Sequence, residues 1–118
     1  MTVRYTVCLG SDGLQYISNL LIAIKILFPK GSIFNKDHYI KFHMPLIQEH
    51  FPELLRWEVS TLPEDAPYMV VTRVEWTSAE AFDSMHHVEA GKKVFADIAN
   101  FSSSPPIFMK ETPLASAP

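Results

Sequence analysis

Five stretches of this chain carry the apolar pattern of strands, and two carry that of helices. Val3, Tyr5, Val7 and Leu9 alternate with Thr2, Arg4, Thr6 and Cys8, and Gly10-Ser-Asp-Gly13 then supplies a turn. This first stretch fits an extra edge strand, an arm crossing to a partner subunit or a poorly ordered leader, and the pattern does not choose among them. Leu20 to Phe28 is a β-branched apolar run, the first core strand. Pro29 to Phe34 reads as a loop and Asn35 to Phe51 as the first helix. Leu55, Trp57 and Val59 alternate with Arg56, Glu58 and Ser60 in a second core strand ending at Thr61. Tyr68, Val70, Thr72, Val74 and Trp76 alternate with Met69, Val71, Arg73 and Glu75 in a third. Thr77 or Ser78 caps the next helix, and Thr77-Ser-Ala-Glu80 fits a capping box. That helix carries Phe82, Met85 and His86, is expected to break at Gly91, and resumes through Val94, Phe95 and Ile98. Ser102-Ser-Ser-Pro-Pro106 ends it, and Ile107 to Glu111 reads as a short edge strand.

From Leu20 onward the order is β-α-β-β-α-β, an α+β ferredoxin-like arrangement with an antiparallel sheet covered by helices on one face. The other face is left bare. On a chain this apolar, the simplest remedy is to pack it against the sheet of a second copy, giving a two-fold homodimer. Lys25, Arg56, Glu58, Arg73 and Glu75 occupy the strand positions opposite the most apolar set. If they face the dimer they must pair there, because unpaired buried charges are costly. Residues 1–19 are read as an extension of uncertain structure, 20–112 as the folded domain, and 113–118 as a mobile tail.

Composition narrows the function. The chain has 118 residues, 47% of them hydrophobic, which is one domain with a real core. Net charge is −3 with no basic cluster, so nucleic acid is not an expected partner. The single cysteine, Cys8, rules out an intramolecular disulfide framework and fits a reducing, cytoplasmic setting. Leu20 to Phe28 is too short to span a bilayer, and Lys25 interrupts it, so no membrane association is expected.

The richest stretch runs from Ile26 to Ile47. Asn35 precedes the periodic segment as an N-cap. Tyr39, His43, Leu46 or Ile47, and His50 then recur at spacings of three and four, with Ile40, Met44 and Phe51 widening the same face. His43 is thereby placed toward the protein body, where an imidazole can act as acid or base. Pro45 cannot donate to the carbonyl of Lys41, so the helix is expected to kink or loosen beside His43. From spacing alone, a hydrogen-bonded core histidine is the commoner outcome for such a residue.

The run Phe34-Asn-Lys-Asp-His-Tyr39-Ile-Lys-Phe-His43-Met-Pro45-Leu46-Ile47 resembles the signature of the EthD family, small proteins of the dimeric α+β-barrel superfamily. The resemblance rests on Phe28 and Pro29 at a strand end and on Tyr39, His43, Pro45 and Leu46 in a Tyr-x-x-x-His-x-Pro-Leu helix. Two positions depart from the pattern: Asn35 replaces the usual Asp, and His38 stands where a second Tyr is common. The resemblance implies a dimeric barrel and a functional His43.

Chemistry follows from what the chain holds and lacks. The five histidines show no His-x-x-x-His pair and no second cysteine joins them, so no metal is expected. Neither a glycine-rich phosphate loop nor a Gly-x-Ser-x-Gly elbow is present, so no cofactor is expected. His43 as proton carrier and Tyr39 as the group that orients a carbonyl are the catalytic candidates. Ile47, Trp57, Tyr68, Trp76, Phe82, Met85 and His86 are the candidate pocket wall, suited to an apolar or aromatic small molecule. The leading expectation is a cofactor-free tailoring enzyme, a cyclase, decarboxylase or dehydratase acting on a polyketide-like or enolisable aromatic substrate in secondary metabolism. The alternative is a non-catalytic protein that carries a hydrophobic metabolite for an oxygenase.

Overall fold

The computed structural model describes residues 21–112, 114–115 and 117. The strand expected at Val3 to Leu9, Cys8 and the 1–19 extension lie outside the described residues. The elements are β1 (Ile22–Pro29), α1 (residues 36–50), β2 (Leu54–Thr61), β3 (Tyr68–Trp76), α2 (Ala79–Ser84), α3 (Glu89–Asp97) and β4 (Ile107–Glu111). The strands form one antiparallel sheet in the order β2-β3-β1-β4. This is the expected α+β ferredoxin-like arrangement. No helix among the described residues is long and apolar enough to cross a membrane.

The period of two along each strand gives the sheet two unlike faces. Ile24, Ile26 and Phe28 of β1 pair with Val74, Thr72 and Val70 of β3, and all six are buried under the helices. On the other face Lys25 stands directly opposite Arg73, an arrangement that repels. Glu111 relieves it. Its carboxylate lies 3.5 Å from Lys25 Nζ and 2.8 Å from Arg73 Nη1, the latter close enough for an ion pair but not aligned as a hydrogen bond.

Three details depart from the sequence pattern. In β2 the register shifts between Leu54 and Arg56, so Leu54 is buried and Leu55 faces out, although the alternation placed Leu55 on the inner face. A bulge adds one residue and reverses the phase behind it. In α1 the bonding changes register over Tyr39–His43, where the Met44 N–H reaches back five residues to the Tyr39 carbonyl. This single wide turn takes the place of the kink expected at Pro45, and regular helix resumes over Met44–His50. Met44, Ile47 and Phe51 are buried as their spacing predicts, whereas Ile40, inside the wide turn, and His50 are exposed. In the second helical segment the break falls at Met85–His87, ahead of Gly91. Gly91 lies inside α3 because the chain packs on the Met85 carbonyl there: a Cβ would sit 1.6 Å from that oxygen.

Candidate functional site

The site is made where the start of α1 meets the end of α3. A turn at Pro29–Ser32, with Gly31 at φ +88°, brings the chain out of β1. Residues 32–35 then zip to residues 101–104. Asn35 N–H donates to the Phe101 carbonyl at 2.7 Å, Ser103 N–H to the Ile33 carbonyl at 2.9 Å, and Ile33 N–H to Ser103 Oγ at 2.8 Å. Asn35 also caps α1 by accepting from His38 N–H at 3.1 Å. These bonds fix the first turn of α1 over the last turn of α3, and Asp97 meets two histidines there.

His43 Nδ1 lies 2.9 Å from Asp97 Oδ2, and His38 Nε2 lies 3.0 and 3.1 Å from the two carboxylate oxygens. Asn100 Nδ2 adds a donor to Oδ1 at 2.9 Å. An ionised carboxylate only accepts, so the proton on His43 belongs to Nδ1, leaving the Nε2 lone pair free. Among the described residues Nε2 has no hydrogen-bond partner. Burial pushes the Asp97 carboxyl up, but the bonds from Asn100, His43 and His38 outweigh it and hold the group below the usual carboxylate range. Burial pushes His43 below its ordinary pKa, against the opposing hydrogen bond and charge of Asp97. At neutral pH His43 is therefore an uncharged imidazole, oriented by a carboxylate. That is the state a general base requires.

Aromatic rings hold the imidazole in place. Tyr39, one turn earlier, stacks on it with centroids 5.5 Å apart, and Phe101 lies 4.6 Å away. The Tyr39 hydroxyl is bonded to Thr72 Oγ1 at 2.5 Å, and both residues are sealed from solvent. Burial pushes the phenol far above its ordinary pKa, opposed in part by Thr72, so it stays protonated.

His43 opens on an apolar cavity of about 30 Å³ between the sheet and the helices. Tyr39, Ile47, Trp76, Phe82 and Met85 line it, together with Val74, Val94, Phe95, Ile98 and Phe108. Three expected wall residues stand elsewhere. Trp57 lies half-buried off the cavity with its N–H on Gln48 Oε1 at 3.1 Å. Tyr68 belongs to a separate groove with Lys30, Lys36 and Leu62. His86 is exposed, stacked on Phe95 at 4.5 Å. Trp57 shares the covered face opposite Val74 but on the edge strand β2, Tyr68 stands at the first position of β3, and His86 lies in the turn between α2 and α3. Asp97, in contrast, was missed by sequence reasoning. Its signal is an acid three residues after Val94 and beside Ile98, on the apolar side of α3.

No family model and no curated protein matches this chain. Solved structures do. An EthD-like protein from Ralstonia eutropha superposes with a TM-score of 0.68 at 19% identity, over 83% of this chain and 96% of that one. The chain has the EthD-like fold. An ethyl tert-butyl ether degradation (EthD) family protein from Bacillus halodurans is similar at a TM-score of 0.61 and 15% identity, over 80% of this chain and 100% of its own. SnoaB, a cofactor-independent oxygenase from Streptomyces nogalater, is similar at 0.59 and 12% identity, over 83% and 96% of the two chains. In this EthD-like fold the Tyr-x-x-x-His-x-Pro-Leu run becomes the wide turn of α1 and the start of the regular helix after it.

Proposed function

We propose that this protein is a cofactor-free acid–base enzyme acting on an enolisable aromatic or polyketide-like substrate. The observation that carries the reading is the Asp97–His43 pair, 2.9 Å apart, on a histidine that lines an apolar cavity and whose Nε2 has no partner among the described residues. In the proposed step Nε2 takes a proton from the carbon beside a carbonyl, or from a phenol. The product is an enolate or phenolate facing an imidazolium whose second proton is held by the Asp97 charge. Returning that proton to a different atom completes an isomerisation, and attack of the enolate on a second carbonyl completes a cyclisation. The same carbanion is also the species that would meet dioxygen, the oxidant, in an oxygenation like that of the cofactor-independent oxygenase SnoaB.

The cavity sets the limits on the ligand. At about 30 Å³ it holds a water-sized group and not an aromatic ring, so a ligand has to displace part of the wall. Phe108 of β4, 38% exposed, is the most exposed of the lining side chains and the part of the wall a ligand would displace first. We propose further that a second copy covers the open sheet face, where Ala23 and Leu27 stand among the charges.

An aryl ketone in heavy water tests the base directly. The protein should speed exchange of the α-hydrogens of 1-tetralone for deuterium, read by proton NMR. His43→Gln should lower that rate by about 100- to 10,000-fold while the melting temperature holds. A well-folded His43→Gln protein with undiminished exchange would overturn the catalytic reading and leave the carrier reading, which the apolar wall alone supports.

A further inference from the structure

Trp76 lines the His43 cavity, is 2% exposed, and its indole N–H has no acceptor among the described residues. An indole nitrogen can only donate, and a buried donor left unmet is costly, so native proteins seldom keep one without a use. The ring is not free to turn away. Phe82 meets it edge-on at 5.6 Å and Phe51 packs at 6.1 Å, while β3 fixes its base against Ile22 and Leu54. Thr72, Val74 and Trp76 share the covered face of the sheet, and the Thr72 hydroxyl is already bonded to Tyr39. Two residues that line the cavity thus keep an unpartnered group among the described residues, the base His43 Nε2 and the sealed donor Trp76 Nε1, which a ligand reaches by displacing part of the wall.

We infer that Trp76 is the specificity-determining donor of this site, binding the carbonyl or phenolic oxygen of the ligand whose proton His43 removes. The inference rests on the proposed function for the proton transfer but not for the binding. It selects the substrate class: a planar apolar molecule with an acceptor oxygen, an aryl ketone or a phenol. A bare hydrocarbon leaves the indole unmet, and an ammonium brings a second donor against the first. In the proton-transfer step the N–H faces the oxygen on which enolate charge develops, the placement that electrostatic catalysis uses.

The test is a binding measurement and needs no turnover. The chain has two tryptophans, so Trp57→Phe, which lies off the cavity, leaves the Trp76 indole as the single indole signal in a nitrogen-15 spectrum. Titration with 1-tetralone should move that signal downfield, and titration with tetralin, the same skeleton without oxygen, should not. The wild-type protein should prefer the ketone by about tenfold, and Trp76→Phe should erase that preference while keeping its affinity for tetralin. Equal shifts with both probes, no shift with either, or a ketone preference that survives Trp76→Phe would overturn the inference. A shifted indole in a protein that fails to exchange the α-hydrogens would instead overturn the proposed function and leave this inference standing.

Discussion

On the helix-covered face of the sheet polar side chains are few and each has a fixed place, whereas on the open face they are many and loosely paired. The covered face carries Thr72 with Tyr39, and under the helices His43 and His38 with Asp97, all at 2.5 to 3.1 Å. The open face carries Lys25, Arg73 and Glu111, whose side chains are 44%, 42% and 30% exposed. Both faces belong to the same strands and differ by one residue of phase. A charge or dipole in the dry layer acts at low dielectric and is strong, while one in the wet layer is screened. The proposed chemistry accordingly draws on the first face and the proposed association on the second. Substitutions on the two faces should differ in size and in their response to pH and salt.

Asp97→Asn should have the largest effect. Asn keeps the size but loses the charge, and its amide can present an N–H to Nδ1, leaving the proton on the wrong nitrogen. The α-exchange rate should fall by about 100-fold or more. The wild-type pH profile follows from the directions of the two shifts. His43 must be neutral to act, and its pKa in the folded protein lies below 6.5, so activity should be flat at neutral pH and fall on the acid side below 6.5. The folded protein binds fewer protons than the unfolded chain in that range, so His43 makes stability decline as pH drops below 6.5 until the folded pKa is passed. Asp97 acts later. Its contribution is full above the ordinary 3.8 and is lost as pH falls through its depressed folded value. A rate profile centred above 6.5 would show that the imidazole is not the desolvated base described here.

The two faces were not equally legible in the sequence. Strand alternation placed Lys25, Arg73 and Glu75 together on one side and Val70, Thr72 and Val74 on the other, because a period of two needs no long-range information. Asn35 and His43 were legible for a similar reason, since a cap and a helix face are local. The partner of His43 was not. Asp97 lies 54 residues away, and what joins them is the backbone zipper between residues 32–35 and 101–104, which leaves no spacing to read. Leu55 sits at a bulge in β2 and Ile40 inside the wide turn of α1, local one-residue irregularities that a regular period does not register, whereas Trp57 and Val59 beyond the first and Met44 and Ile47 beyond the second keep the side their spacing predicts. Tyr39 was read correctly as inward, but the sequence gives no sign that Thr72 engages its hydroxyl.

That hydroxyl pair supplies the intermediate effect. Thr72→Val keeps the shape of a sealed position and leaves the Tyr39 O–H without a partner, so stability should fall by about 1 to 3 kcal/mol. Tyr39→Phe strands the Thr72 hydroxyl in the same way. The double variant replaces both partners by apolar groups and should be more stable than either single one, since removing a satisfied pair is nearly neutral while halving it is not. Urea melts of the four proteins decide this. Singles within about 0.5 kcal/mol of wild type would mean that water reaches the pair, and would erase the contrast between the faces at Thr72.

The smallest effect should come from Glu111→Gln on the open face. It removes the counter-charge between Lys25 and Arg73, which the sheet register holds opposite each other. In a separate protomer water screens the two cations. The loss should be about 1 kcal/mol or less and should shrink further in half-molar salt. If the proposed second copy seats on this face at higher concentration, the same two cations lose their water while still facing each other. The penalty should then grow, appearing as weaker dimerisation in sedimentation equilibrium, because a charge stranded in a sealed interface costs more than one at a wet rim. A penalty that is the same at every protein concentration would remove this face from the interface, and with it the reason for so many charges on one side of a small apolar sheet.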